Sequence, residues 1–192
     1  MASVSEEIVR EYLEVNDFAV KVHRKYHLTG AKRDELDEVD LVATNLNEQS
    51  AVPENMLLGK QDICGVERAV VAVRGWHSET FSPARLKSSP EILNLGLLNE
   101  KKVSERFFRK QSFNRILVLS SLPLDTTLKQ KVLQTLKENG IDYVLEFRMV
   151  LEDLIDRVQV HRNYDESPTL QLIRILKRYD LIRDYQMDLF WD

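Results

Sequence analysis

The spacing of hydrophobic residues changes along the chain, and each change predicts a new element. Apolar side chains recur at helical spacing from Ile8 to Leu13, behind a Ser3–Glu6 capping pattern, so residues 4–16 are predicted to form an amphipathic helix. Apolar and polar residues then alternate over 18–22, which indicates a half-buried strand. A second short apolar run, 39–43, predicts a strand that forms a hairpin with the first.

Nearly continuous apolar runs in the second half of the chain indicate strands buried on both faces. Ala69–Val73 and Ile116–Leu119 are such runs, and Tyr143–Leu145 predicts a further strand. Because helical patterns separate these runs, the strands need crossover connections and therefore some parallel pairing. The predicted helices of this half are 99–111, 125–138, 149–158 and 168–180.

The order of elements predicts an α/β fold, in which a mixed central β-sheet is flanked by helices and followed by a helical C-terminal extension. We place the core at residues 1–147 and the extension, as part of the same domain, at 148–192. The chain has 192 residues, of which 43% are hydrophobic, and this composition suits one globular domain.

Charge and cysteine content narrow the classes of function. The 27 basic and 31 acidic residues give a net charge of −4, so contact with nucleic acid must be local rather than spread over the whole surface. Cys64 is the only cysteine, which excludes an intrachain disulfide and a cysteine-rich zinc site. The sequence lacks a membrane-spanning run and a signal-peptide pattern, so we expect no membrane partner and a cytoplasmic location.

Common catalytic motifs are absent from the sequence. It contains no G-x-G-x-x-G pattern, no P-loop and no G-x-S-x-G nucleophile turn. Residues 34–40, however, hold five carboxylates in seven positions. A solvated turn would explain most of them, but Asp40 lies between Val39 and Leu41 in a predicted strand. Burying a carboxylate in a strand costs free energy unless the carboxylate has a partner or a function there.

Residues on three predicted elements resemble the PD-(D/E)XK nuclease superfamily, particularly its archaeal Holliday-junction-resolvase-like and restriction-endonuclease-like members. They are Glu6 and Glu7 in the first helix, the run 38–43 in the second strand, and the run 71–76 in the third. The resemblance implies a restriction-endonuclease-like core that hydrolyses phosphodiesters with magnesium or manganese. In that family an Asp and a Glu hold the metal, and a Lys two residues after the Glu orients or activates water.

Only part of that motif is present in this chain. The resemblance places Asp40 at the metal-binding aspartate position, Ala72 at the acidic position and Arg74 at the lysine position. Ala72 offers only its backbone carbonyl as a metal ligand, and arginine is a poor proton acceptor. Glu7 is the preferred replacement for the acid missing at position 72. The alternative is that Glu7 is an ordinary solvated helix residue. These departures predict weakened or lost cleavage with retained phosphate binding.

Two groups of residues are candidates for contact with nucleic acid. Trp76 would either stack on a base or line the substrate groove, or else pack beneath the next helix. His77 would meet phosphate or act in proton transfer, or else play no functional part. Four cations recur at helical spacing within 99–111 and would either follow a nucleic-acid backbone or form a solvated face. They are Lys102, Arg106, Arg109 and Lys110.

Two functions follow from these residues and stay open at this point. The first is a metal-dependent endonuclease of weakened or lost activity, in which Asp40 binds metal and Arg74 binds phosphate. The second is a non-catalytic module on the same fold that binds nucleic acid or protein. The closing run Leu189–Trp191 is expected to pack on the body of the protein or on a second subunit in a homodimer.

Overall fold

A mixed five-stranded sheet runs through the centre of the molecule, with helices on both faces. The computed structural model describes residues 3–23, 34–47, 51–78 and 80–182. The strands are β1 (Phe18–Val22), β2 (Leu41–Asn45), β3 (Arg68–Arg74), β4 (Asn114–Leu119) and β5 (Tyr143–Glu146). The helices are α1 (Val4–Val15), α2 (Pro83–Ser88), α3 (Glu100–Phe107), α4 (Thr126–Glu138), α5 (Phe147–Arg157) and α6 (Pro168–Arg178).

The strands lie side by side in chain order. β1 pairs with β2 and β2 with β3 in antiparallel fashion, whereas β3 pairs with β4 and β4 with β5 in parallel. The predicted mixed α/β class and the initial hairpin are therefore confirmed. β3 lies at the centre and buries five of its seven residues, as its nearly unbroken apolar run predicts.

The alternation of side chains along β3 divides the core into two layers. Val71 and Val73 face α1, α5 and α6, whose buried residues form one hydrophobic cluster with them. Val70 and Ala72 face α2, α3, α4 and a 3₁₀ segment, which form the second cluster. Every site described below is positioned relative to these two faces.

The prolines that interrupt the middle of the sequence begin helices there. Ser82 caps α2 by accepting the Arg85 amide, with Pro83 at the first helical position. Pro90 likewise begins the 3₁₀ segment Pro90–Leu97. α6 begins in the same way, with Ser167 as cap and Pro168 at the first helical position, but no helix was predicted in the stretch that contains α2.

The helix predicted over 99–111 is shorter in the structure. α3 ends at Phe107, and Arg109 and Lys110 both adopt left-handed backbone conformations, with φ of 50° and 70°. The prediction of its C-terminal end is therefore wrong. Helical spacing in the sequence carries no information about these local turns.

The helices of the C-terminal extension lie against α1. The Arg157 guanidinium donates to Asn16 Oδ1 at 2.7 Å, and Asn16 in turn donates to Asp153. The predicted packing of Leu189–Trp191 lies outside the described residues. No helix within the described ranges is long and apolar enough to cross a membrane.

Candidate functional site

Asp40 lies at the entrance of β2, between β1 and β3. Its backbone amide donates to the Val71 carbonyl at 2.9 Å, and its carbonyl accepts the His23 amide at 2.8 Å. Its carboxylate accepts the Val73 amide at 2.7 Å, beyond the last registered pair of the β2–β3 ladder, Leu41 and Val71. The side chain thus binds a backbone amide at the end of the ladder, and this explains why a carboxylate is tolerated at this buried position.

Arg74 ends β3 and connects two carboxylates. Its Nη1 lies 3.1 Å from Asp40 Oδ2, and its Nη2 lies 2.9 Å from Glu38 Oε2. The Asn94 side-chain amide donates to the other oxygen of Glu38 at 3.2 Å. We call these four residues, Glu38, Asp40, Arg74 and Asn94, the Arg74 network. Strand β3, the 3₁₀ segment Glu35–Glu38 and the segment Pro90–Leu97 position its members.

The Arg74 network is almost entirely enclosed by protein. The side chains of Asp40, Glu38 and Arg74 are 4%, 10% and 13% exposed, respectively. One guanidinium faces two carboxylates, and because desolvated charges are costly without partners, each ion holds the others in place. The guanidinium therefore occupies the position beside Asp40 where the resemblance expects a metal-assisting lysine.

Ala72 and Glu7 do not complete a metal site around Asp40. Ala72 is fully buried in the second cluster. Glu7 lies on α1, on the opposite face of the sheet, and its carboxylate bonds Arg10 at 2.6 Å. Within the described ranges, no group of three or more His, Cys, Asp or Glu side chains could hold a metal ion. As arranged, these residues do not fit the implied magnesium site, and we assign no metal-dependent step to them.

Trp76 and His77 both lie in protein contacts just beyond β3. The Trp76 ring stacks on Phe81, with 5.6 Å between centroids, and the Arg85 guanidinium lies 4.8 Å from its ring centroid. Trp76 therefore packs against residues at the start of the next helix, α2. His77 Nε2 lies 3.0 Å from Ser5 Oγ in the first turn of α1, so this imidazole is attached to the helix.

Gly75 makes the contact between Ser5 and His77 possible. A Cβ at position 75 would lie 2.4 Å from Ser5 Oγ and 3.1 Å from His77 Nε2. Any side chain there would displace α1 or the imidazole. The glycine therefore brings the start of α1 close to the end of β3.

The four predicted cations do not form one helical stripe. Only Lys102 and Arg106 lie on α3, because the helix ends before Arg109 and Lys110. The Lys102 ammonium bonds Asp34 at 2.8 Å and Glu35 at 3.1 Å. Its hydrogen bond to Asp34 raises the pKa of Lys102 and lowers the pKa of Asp34. Lys102 is thus engaged by two carboxylates, and the prediction of a continuous basic stripe is wrong.

A groove of about 730 Å³ lies between α1, β1 and the end of α3. We call it the cationic groove; its charged and aromatic lining consists of Arg10, Glu14, Lys21, His23, Arg106 and Phe107. The His23 ring meets the Phe107 ring edge-on, with 5.3 Å between centroids. Burial raises the pKa of Glu14, because the apolar surroundings disfavour its charged form. The groove is connected to the Arg74 network through the backbone, because the His23 amide donates to the Asp40 carbonyl.

Several members of this region were missed as site residues by sequence reasoning. Asn94 and Lys21 belong to no motif, and only the tertiary fold brings them to the site. Glu38 was not predicted as a site residue, although its place two residues before Asp40 was a usable signal. No sequence pattern indicates a role for Ser5, because its partner His77 is distant in the sequence.

Comparison with known proteins adds no relative to this description. No protein-family model matches the chain, and no curated protein or solved structure matches it either.

Proposed function

We propose that this chain is a PD-(D/E)XK-like nucleic-acid-processing protein that binds nucleic acid and whose phosphodiester cleavage is weakened or lost. The bonding of Arg74 to both Glu38 and Asp40 carries the proposal. A live site of that family needs an exposed carboxylate pair that can receive a cation. Here a side-chain cation already occupies the space between the two carboxylates, and Ala72 supplies no side-chain oxygen.

The connectivity of the sheet supports the nuclease-like part of the proposal. α1 precedes three antiparallel strands, and a helical crossover then leads to the parallel strand β4. This is the order of elements that the resemblance implies for the core. Asp40 and Arg74 also come together at neighbouring strand ends, as their places in the motif require. Fold alone does not give function, so the binding assignment depends on the surface beside the network.

The cationic groove is the proposed binding surface. Lys21 and Arg106 line it from β1 and α3, and their long cationic side chains suit contact with phosphate oxygens. The groove is connected to the Arg74 network through the His23 backbone, so a strand bound in it would lie on the side of β1 next to the position where related enzymes cut. Arg10 contributes less positive charge, because Glu7 and Glu11 both lie within ion-pair distance of it.

Magnesium or manganese dependence stays a prediction from the resemblance. Residual cleavage would need Asp40 to exchange Arg74 for a divalent ion, and such ions require several hard oxygen ligands. A cytoplasmic location also stays a prediction, which cell fractionation would test.

The deciding experiment measures binding and cleavage on the same labelled duplex, single-stranded and branched DNA and on RNA. Binding is titrated at several salt concentrations, and cleavage is followed with magnesium or manganese. The variants are Asp40→Ala for cleavage and Lys21→Glu with Arg106→Glu for binding. Lys131→Glu on α4 is the matched charge-reversal control, because Lys131 is exposed on a helix that does not line the groove.

We expect salt-sensitive binding that the double reversal weakens at least tenfold and that Lys131→Glu leaves within about twofold. Each lost phosphate contact should lower the slope of log affinity against log salt by about 0.7 to 0.9. Cleavage that disappears in Asp40→Ala would instead establish a live nuclease. Absence of binding to every nucleic acid would overturn the proposal and favour a protein-binding module.

A further inference from the structure

Helix α6 has an outward apolar stripe in addition to its buried face. Leu170 and Ile173 belong to the hydrophobic core. On the other side, Leu172, Ile175 and Tyr179 are 56%, 41% and 72% exposed. Their spacing of three and four residues places them on one line along the helix. Single exposed apolar residues are ordinary, but an aligned set on one helix is typical of an interface.

The charges around α6 are segregated by end. Asp165 and Glu166 lie just before the helix begins. Arg174, Lys177 and Arg178 lie in its second half and outnumber Asp180, which follows the helix, so the second end remains basic. Two such helices side by side in parallel would place like charges together. Two antiparallel copies would instead place the acidic end of each beside the basic end of the other, and their helix dipoles would also oppose.

We propose that a second copy of this chain covers the stripe, with the two α6 helices antiparallel about a twofold axis. If Leu172 faces Ile175 of the second copy, Arg178 faces Thr169 of that copy. Glu166 lies three residues before Thr169, just ahead of the helix cap Ser167, and therefore on the same end of the second copy that Arg178 faces. The symmetry repeats this contact, so one helix pair holds two Arg178–Glu166 ion pairs.

The size of the apolar stripe determines the expected affinity of the dimer. One helix pair with a seam of a few apolar side chains lies at the low end of interface sizes. The dimer should therefore dissociate in the micromolar range and be detected by its concentration dependence. This inference concerns a different surface from the cationic groove and does not rest on the proposed function.

Sedimentation velocity of the full chain, from about 1 to about 100 µM, tests the dimer. Ile175→Glu should give a monomer throughout that range, because it places a carboxylate in the seam of each copy. Leu124→Glu is the matched control, since Leu124 is a fully exposed apolar residue outside α6, and the dimer should persist. Circular dichroism confirms that both variants remain folded.

Charge reversal tests the antiparallel arrangement itself. Arg178→Glu and Glu166→Arg should each raise the dissociation constant at least tenfold, whereas the double variant should restore the original value.

A monomer at all concentrations, a dimer unaffected by Ile175→Glu, or a double variant that fails to restore association would each overturn the inference. A monomer in which Ile175→Glu shifts the fluorescence of Trp191 would overturn it in favour of the chain's own C-terminal residues as the occupant. Nucleic-acid binding by the monomeric variants reports separately on the proposed function.

Discussion

Arg74 and Asp40 are separated by 34 residues in the sequence, yet the guanidinium of one lies 3.1 Å from the carboxylate of the other. The contact joins the end of β3 to the entrance of β2 and is almost closed to solvent. Since Arg74 also bonds Glu38, two carboxylates share a single guanidinium at this edge of the sheet.

Replacing Arg74 by methionine should destabilise the fold by about 3 kcal/mol or more. The change removes the guanidinium that the two buried carboxylates share, and breaking a buried ion pair by removing one partner costs that much. Urea denaturation at neutral pH measures the loss. Arg148→Met is the matched control: the Arg148 side chain is 73% exposed beside Glu152, so it should cost under about 1 kcal/mol. Equal losses for the two variants would show that the network contributes no more than a surface ion pair.

Restoring the family motif should create a divalent-metal site. In Ala72→Glu with Arg74→Lys, the introduced carboxylate and the introduced ammonium would point to the same face, because positions 72 and 74 alternate together along β3. Calorimetric titration with magnesium or manganese should show binding stronger than that of the original protein. The control combines Arg74→Lys with Ala69→Glu, because Ala69 is equally buried but belongs to the other hydrophobic cluster. An unchanged titration in a folded double variant would show that the site is assigned to the wrong residues.

The pKa of Asp34 should depend on Lys102. The Lys102 hydrogen bond and the Leu36 amide hold that pKa below 3.8. The pair therefore contributes stability above pH 3.8, which is lost as pH falls through the lowered pKa. In Lys102→Met, carboxyl-detected NMR should find the Asp34 pKa moved towards 3.8 but still below it, since the Leu36 bond remains. Lys131→Met should leave it unchanged, and no movement in Lys102→Met would mean that the ion pair does not form in solution.

Gly75→Ala should destabilise the protein by about 1 to 3 kcal/mol, because the added methyl overlaps Ser5. Ser5→Gly should recover most of this loss in the double variant, since it removes the atoms that the methyl meets. Thermal or urea denaturation of the two single variants and the double variant gives the coupling between the positions. Additive losses would contradict the close approach of α1 to β3.

The sheet was predictable from sequence because its pattern repeats along whole strands. The alternation in β1 and the unbroken apolar run of β3 each report burial over several residues, and the order of helices fixes the parallel pairing. α2, which begins at Ser82–Pro83, was not predicted because six residues are too few for an apolar repeat at helical spacing to show. The end of α3 was misplaced because the left-handed conformation of Arg109 leaves no trace in helical spacing.

The candidate site was predictable only where it lies on strands. Asp40 and Arg74 come together because strand position fixes where their side chains lie. Glu38 and Asn94 enter the network from 3₁₀ segments, whose side-chain directions depend on tertiary packing. The partners of Lys102 were likewise not predictable. Helical spacing suggested that Lys102 contacts nucleic acid, but it pairs with Asp34 and Glu35, which lie far from it in the sequence.

The parallel pairing of β3 with β4 has a consequence for how the chain folds. Ala69 lies beside Asn114, so this pair closes a long connection that contains two helices and a 3₁₀ segment. The antiparallel pair of β1 and β2 closes a much shorter loop. Because loop closure costs entropy before distant contacts compensate, we expect the hairpin to form early and the β3–β4 pair to limit the folding rate. Until that step, the long apolar edge of β3 is exposed, and it is the segment from which aggregation during refolding would start.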